Sequence, residues 1–231
     1  MALFTHSPLA SKSLRVLARL LGYPDAELRG HLAELRDALH QERALPPQRL
    51  AELDALLASL AQGAPLDVEA AYVELFDRGR STSLHLFEHV HGDSRERGPA
   101  MIDLAQTYEK AGMYLAEGEM PDFLPVLLEF TSTQPPREAR EFLSEMAHIF
   151  NAIFSALQQR GSAYASVLGA LLELAGEKAQ PVEIAAEEPM DAVWQEPVVF
   201  DGCSSRGQAR PDQPKPIHIV RKPRPAQGVQ A

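Results

Sequence analysis

Apolar residues recur every three or four positions through the first 175 residues, which is the spacing of one face of an α-helix. Gly and Pro interrupt this pattern at intervals, as at Gly22, Gly63 and the Pro135-Pro136 pair, and they mark the ends of the predicted helices. The helices predicted in this way cover about residues 11–21, 26–39, 47–62, 68–76, 81–91, 95–113, 123–130, 137–160 and 162–175.

Short polar side chains and prolines stand where several of these helices begin. Ser11 or Ser13 is positioned to cap the first helix, and Asp25 to cap the second. Pro47 suits the first turn of the third helix, where its missing N–H costs no hydrogen bond. The sequence therefore predicts both the positions and the starts of the helices.

No segment before Gly176 alternates apolar and polar residues with β-branched enrichment, so no strand is predicted there. Leu and Ala dominate instead, and both favour helix. The prediction is an all-α fold, a single helical-bundle domain of eight or nine helices over residues 1–175.

The composition changes in residues 176–231. Eight of the 18 prolines lie between residues 181 and 225, and apolar residues become sparse. Such a segment buries too little surface to offset the entropy lost on ordering, so a mostly disordered C-terminal tail is predicted. A small apolar island at residues 191–200, around Trp194, is a possible docking element.

Net charge and cysteine usage narrow the function classes. The 231 residues carry a formal charge of −10, which disfavours nucleic-acid binding and suits a basic partner. Cys203 is the one cysteine, so no intrachain disulfide forms. The sequence shows neither a signal peptide nor an apolar run of the roughly 20 residues that a spanning helix needs. A cytoplasmic location without direct membrane insertion is expected.

The densest concentration of aromatics, histidines and paired charges lies in residues 71–103. Within it, His85, Glu88 and His89 form the H-x-x-E-H pattern of inverted zincin peptidases. On a helix the two histidines would share one face and hold zinc, with Glu88 as general base. The alternative is a polar helix face turned to solvent or to a partner, which needs neither a metal nor a catalytic residue.

A second candidate region, residues 119–125, combines two acids with Phe123 between prolines. Pro121 suits the first turn of a helix, and Asp122 would place a negative charge at the positive end of that helix dipole. One interpretation is plain capping, and the other is an acidic, aromatic lip on a binding groove.

Several strings in this order resemble one protein family. They are residues 72–80 (YVELFDRGR), 86–98 (LFEHVHGDSRERG), 20–25 (LLGYPD), 119–125 (EMPDFLP) and 191–194 (DAVW). Together they make the chain similar to the nitrate reductase delta subunit family of molybdenum cofactor assembly chaperones. The likeness extends over about residues 14–200.

The resemblance implies an all-helical, non-enzymatic chaperone shared in fold with other redox-enzyme chaperones. Such a chaperone binds the N-terminal segment of the respiratory nitrate reductase α subunit. It holds the apo-enzyme competent for molybdenum cofactor insertion and delays its docking to the membrane subunit. No cofactor is expected to be bound stably, and molybdenum cofactor biosynthesis proteins are further implied partners. The family commonly has His where this chain has Phe123, which favours an apolar contact over proton sensing there.

A peptide site follows as an expectation. Apolar residues would line a groove for an amphipathic helix, and acids would attract its basic residues. The expected peptide-binding residues are Tyr72, Phe76, Asp77, Leu86, Phe87, Glu119, Pro121, Asp122, Phe123 and Leu124. Two alternatives remain open at this point: the zinc metallopeptidase, and a helical interaction module for another redox-enzyme client.

Overall fold

The computed structural model describes residues 10–92 and 94–180, and their regular elements are helices. Prolines open four of these helices, at Pro47, Pro65, Pro136 and, in the first turn, Pro125. A short 3₁₀ turn at Arg80–Thr82 stands between the fifth and sixth α-helices. In chain order the helices are α1 Ser11–Leu20, α2 Ala26–Gly30, α3 Leu32–Glu42, α4 Pro47–Gln62, α5 Pro65–Phe76, α6 Leu86–Val90, α7 Arg97–Lys110, α8 Leu124–Thr133, α9 Pro136–Glu145, α10 Ala147–Gln159 and α11 Ala165–Ala175.

The all-α prediction is confirmed, and the described residues hold eleven α-helices rather than eight or nine. Two predicted helices are each split by one residue that leaves helical geometry. His31 (φ −107°, ψ 5°) separates α2 from α3, and Met146 (φ −97°, ψ 1°) separates α9 from α10. The first break directly follows Gly30, whereas the second has no Gly or Pro beside it. The prediction followed the hydrophobic spacing, which continues through both breaks.

The start of α1 is capped differently from the prediction. Neither Ser11 nor Ser13 caps the helix; the Glu42 carboxylate, at the end of α3, accepts hydrogen bonds from the backbone N–H groups of Lys12 (3.0 Å) and Ser13 (2.6 Å). At α2 the local prediction is confirmed, because Asp25 accepts from the Leu28 N–H at 2.8 Å.

The core is organised around α1. This helix packs along α8 and also touches α3 and α11, while α10 lies along α11. Leu17 and Leu20 of α1, and Leu168 and Leu171 of α11, have no exposed surface. Burying a leucine side chain of this kind stabilises the fold by about 1.5–3 kcal/mol, so the leucines of α1 and α11 contribute strongly to stability.

The segment between α5 and α8 is less regular than predicted. A helix over about 81–91 was expected, but residues 83–85 are not helical, His85 is extended, and α6 covers Leu86–Val90 alone. The next helix starts at Arg97, with Pro99 in its first turn, rather than at about residue 95. The extended stretch pairs with the chain before α8, through an isolated antiparallel bridge between His85 and Phe123.

The predicted tail, including the island at 191–200, lies outside the described residues apart from residues 176–180. None of the helices that are described has the length and apolar character that crossing a bilayer requires.

Candidate functional site

A fully buried carboxylate lies where α6, α7 and the loop before α8 meet. Asp122 has no exposed surface, and its Oδ2 accepts a hydrogen bond from the backbone N–H of Phe87 at 3.2 Å. Its Oδ1 is 3.3 Å from Nδ1 of His85. Arg97 places Nη2 3.6 Å from Oδ2 and 3.5 Å from Oε1 of Glu88. The carboxylate is therefore enclosed by the Arg97 guanidinium, the His85 imidazole and one backbone donor.

Backbone pairing fixes this geometry. The Leu86 N–H donates to the carbonyl of Asp122 (3.0 Å), and the Leu124 N–H donates to the carbonyl of Leu84 (2.8 Å). Because Leu84 satisfies the first N–H of α8, the Asp122 side chain is free to cap α6 at Phe87. The expected capping of the helix that follows Asp122 is thus wrong: α8 starts at Leu124 without a side-chain cap.

Two partly exposed phenylalanine rings, Phe87 and Phe123, lie near this carboxylate, and each packs against a histidine ring. The rings of His85 and Phe123 are 5.2 Å apart at an angle of 31°, and Phe87 meets His91 edge to face at 5.4 Å. Phe87 and Phe123 are both partly accessible. This surface, His85–Phe87–Phe123, is called the ring patch below.

The environment of His85 favours its charged form. The hydrogen bond to Asp122 raises the pKa of His85, and the negative charges of Asp122 and Glu88 act in the same direction. Partial burial and the nearby Arg97 oppose this shift. The Asp122 carboxylate therefore favours the protonated form of His85, and the protonated imidazole in turn offsets the buried negative charge.

Tyr108 of α7 anchors the same loop from the other side. Its hydroxyl donates to the carbonyl of Pro121 at 2.8 Å, and its ring is 4.7 Å from that of Phe130. Burial raises the pKa of the Tyr108 phenol. The loop before α8 is consequently held by α6, by Arg97 at one end of α7 and by Tyr108 at the other.

The sequence-predicted site residues fall into separate environments. Tyr72 and Phe76 are buried, with ring contacts to Tyr164 at 6.1 and 5.1 Å, and the Tyr72 hydroxyl donates to the carbonyl of Leu21. Leu86, Pro121, Asp122 and Leu124 are also buried, and Asp77 and Glu119 are exposed. Of the predicted site residues, those of the ring patch and the two exposed acids are therefore accessible from solvent, whereas the others are not.

The H-x-x-E-H pattern does not assume zinc-site geometry. His85 precedes α6 in an extended conformation (φ −88°, ψ 102°), so it is not one helical turn below His89. Nδ1 of His85 faces Asp122, Nε2 of His89 lies 2.8 Å from the Ser83 carbonyl, and Glu88 faces Arg97. Among the residues with described positions, no group of three His, Cys, Asp or Glu side chains is placed to hold a metal.

The profile of one protein family, "Nitrate reductase delta subunit", matches residues 23–169, which is more than half of the chain. The chain belongs to the nitrate reductase delta subunit family. The resemblance seen in the sequence motifs is thereby confirmed.

Two of the relatives that match most of the chain are named as chaperones. The chain is 42% identical over 193 residues to the nitrate reductase molybdenum cofactor assembly chaperone NarJ of Escherichia coli (strain K12), covering 79% of this chain and 82% of NarJ. It is 39% identical over 193 residues to the probable chaperone NarW of the same strain, covering 79% and 80%. Family membership therefore supports a chaperone role rather than a catalytic one for this chain.

A solved structure supports the fold. A putative redox enzyme maturation protein from Archaeoglobus fulgidus superimposes with a TM-score of 0.50 over 72% of this chain and 94% of that one, at 20% identity. At this identity the likeness concerns the helical architecture alone.

Two residues of this candidate site, Arg97 and Tyr108, are not among the site residues predicted from the sequence. Their partners, Asp122 and the Pro121 carbonyl, are 25 and 13 residues away. The motif strings 86–98 and 119–125 contain Arg97 and its partner, so pairing the charges of these strings would have suggested the contact.

Proposed function

We propose that this chain is the dedicated chaperone of a respiratory nitrate reductase, and that it binds the N-terminal segment of the α subunit. Binding holds the apo-enzyme competent for molybdenum cofactor insertion and delays its docking to the membrane subunit. The observation that carries the proposal is the 42% identity to the chaperone NarJ across most of both chains. The cytoplasm is the proposed location, since cofactor insertion precedes membrane docking in this scheme.

The surface charge of the helical body supports a basic ligand. Residues 1–175 contain 15 Lys and Arg against 24 Asp and Glu. An acidic surface attracts a basic segment over distances of about a screening length, which is about 8–10 Å at physiological salt. The client segment in this proposal is accordingly an amphipathic helix with Lys or Arg on its polar face.

The ring patch supplies the apolar contact. Phe87 and Phe123 are partly accessible, while the bridge at His85 and the buried Asp122 hold them in a fixed relation. A surface that is ordered before binding loses less entropy on complex formation. We place the apolar face of the client helix on Phe87 and Phe123.

The buried members of the expected site have a different role in this proposal. Leu86, Leu124 and Asp122 form the frame under the ring patch. Tyr72 and Phe76 meet a peptide only if α5 moves from the core, which makes them second-stage contacts. The molybdenum cofactor belongs to the client, and its biosynthesis proteins are proposed as partners of the chaperone–client complex.

Calorimetry with the client peptide tests this function. The purified chain is titrated with a synthetic N-terminal peptide of the nitrate reductase α subunit from the same organism, and with a scrambled peptide of the same composition. Saturable binding of the native peptide and much weaker binding of the scrambled one are expected. A folded chain that binds neither peptide, or both equally, contradicts the assignment.

Cofactor insertion is tested separately in cells. Without this chain, the α subunit should accumulate with a lower molybdenum content per polypeptide, measured by mass spectrometry of the purified subunit. Re-expression of the chain is the control. An unchanged molybdenum content would remove the insertion role and leave peptide binding as the remaining function.

A further inference from the structure

A small recess lies beside Tyr108, between the loop after α7 and helix α8. Its volume is about 60 Å³. Tyr108 and Phe130 form its buried floor, and Leu115 and Val126 are among its walls. A water molecule needs about 10–15 Å³ of such space, so the recess has room for about four waters. That is comparable with one aliphatic side chain.

Several contacts hold the recess open in advance. The Tyr108 hydroxyl is fixed on the Pro121 carbonyl, and the Thr133 hydroxyl lies 3.7 Å from the sulfur of Met113, another wall residue. The Glu119 carboxylate accepts from the backbone N–H of Ala116 at 3.0 Å, which ties the loop to itself. The recess therefore needs little rearrangement to receive a side chain.

One large exposed ring borders the recess. Tyr114, at its edge, is 80% exposed. A partner side chain that enters the recess would therefore also cover part of this ring.

The charged side chains that line the recess are both acidic. Glu119 and Glu129 line the recess, and residues 111–136 contain four acids but no Lys, Arg or His. Of these acids Asp122 is enclosed, while the carboxylates of Glu117, Glu119 and Glu129 form no ion pair with any basic residue whose position is described. An occupant with Lys or Arg beside its apolar side chain would supply the missing countercharge.

We propose that this recess is the anchor pocket for one aliphatic side chain of a basic amphipathic helix. The occupant is the client's N-terminal segment, and this assignment rests on the proposed function above. The pocket fixes the register of the segment: one Leu, Met or Ile enters between Leu115 and Val126, and the neighbouring cation meets Glu119 and Glu129. The ring patch then takes a different turn of the same helix.

Filling the pocket tests the proposal in the full chain. Val126→Phe places a ring in the recess and should weaken binding of the client peptide about tenfold, the loss typical of an anchor residue. Val73→Phe on α5 is the matched control, because both valines are half-buried and lie outside the core cluster. The control should bind within about twofold of wild type.

Two exposed variants keep the test decisive if Val126→Phe fails to fold. Tyr114→Ser should weaken binding several-fold, whereas Leu66→Ser, at an equally exposed position on α5, should not. Glu129→Lys should weaken binding at low salt and less at high salt, with Glu145→Lys of α9 as the charge-matched control. Melting curves identify the folded variants.

The outcomes separate the pocket from the function. If wild type binds the client peptide and the folded pocket variants bind as tightly as their controls, the anchor pocket is overturned and the chaperone function stands. If wild type does not bind the client peptide, the proposed function fails and the pocket assignment fails with it. Selective weakening by the pocket variants supports both.

Discussion

Burial determines what the charge of Asp122 does in this structure. As an exposed acid it would attract a basic peptide, but its carboxylate is fully buried and already contacts the Phe87 N–H, His85 and Arg97. A buried charge is tolerated only when it is paired and hydrogen-bonded. We therefore assign Asp122 to holding the site together, and the attraction of peptide cations to exposed acids such as Glu119.

Replacing this carboxylate should destabilise the fold. Asp122→Asn keeps the size but removes the charge that offsets His85 and Arg97, and it should lower the free energy of unfolding by about 1.5–3 kcal/mol, the range for hydrogen bonds to charged groups. Chemical denaturation measures the difference. Asp77→Asn, at an exposed acid, is the control and should change stability by less than about 0.5 kcal/mol. Equal effects of the two variants would contradict the enclosed geometry.

The His85–Asp122 contact should make stability depend on pH. The hydrogen bond to Asp122 raises the folded-state pKa of His85 above its unfolded value of about 6.5. The stabilisation is therefore fully present below about pH 6.5 and is lost as the pH rises through the folded-state pKa. His85→Gln should destabilise the chain more at pH 6 than at pH 8, as followed by urea denaturation at both values. A difference of the opposite sign would show that His85 is neutral when bound to Asp122.

At the scale of helices, capping by neighbouring residues could be predicted from the sequence, and capping by residues far along the chain could not. Asp25 caps α2 and Pro47 opens α4 as the sequence predicted, because these effects involve residues within one turn. Glu42 caps α1 from 29 and 30 residues away, and Asp122 caps α6 from 35 residues away. Remote caps depend on the tertiary fold, which hydrophobic spacing does not specify.

The candidate site follows the same division. Asp122 and Phe123 were recognised as site residues from their motif, but the burial of Asp122 under Arg97 depends on the meeting of α7 with the loop before α8. Tyr72 and Phe76 stand in a matching motif and are nevertheless core residues. A motif identifies residues that matter to the family without telling whether they face a partner or the interior.

Helix α11 packs on α4 through an arginine laid over a glycine. A Cβ built on Gly169 would come within 2.5 Å of the Arg49 guanidinium carbon, and Arg49, with 13% of its side chain exposed, pairs with Glu173 at 3.0 Å. This close approach links the two helices. It also explains why glycine, a poor helix former, stands inside α11.

Gly169→Ala tests this contact through a double-mutant cycle. Alanine favours helix by about 1 kcal/mol, but it displaces the Arg49 guanidinium from Glu173, so the single variant should gain little or no stability over wild type. In an Arg49→Ala background the displacement disappears, and the same substitution should stabilise the chain by up to about 1 kcal/mol. Thermal or urea unfolding of the four proteins gives the coupling. Additive effects would show that Arg49 moves aside without loss.

For the molecule as a whole, the proposed binding gives charge and apolar surface separate roles. The acidic body acts at long range and favours encounter with a basic segment, whereas burial of apolar side chains at short range determines how long the complex lasts. Both contributions are needed. An acidic surface alone attracts any basic chain, and an apolar patch alone does not distinguish basic peptides from acidic ones.

The kinetics of peptide association should separate these two terms. Between about 0.01 M and about 1 M salt the screening length falls from about 30 Å to about 3 Å. The association rate of the native client peptide should therefore fall steeply over this range, while its dissociation rate changes much less because apolar contacts are not screened. Stopped-flow fluorescence of a labelled peptide measures both rates.

A peptide with its Lys and Arg replaced by Gln is the control, and its slower association should be nearly independent of salt. Binding of the native peptide at a rate that salt leaves unchanged would show that the charge of residues 1–175 takes no part in recognition, and that the ring patch and the anchor pocket select the client by shape and apolar contact alone.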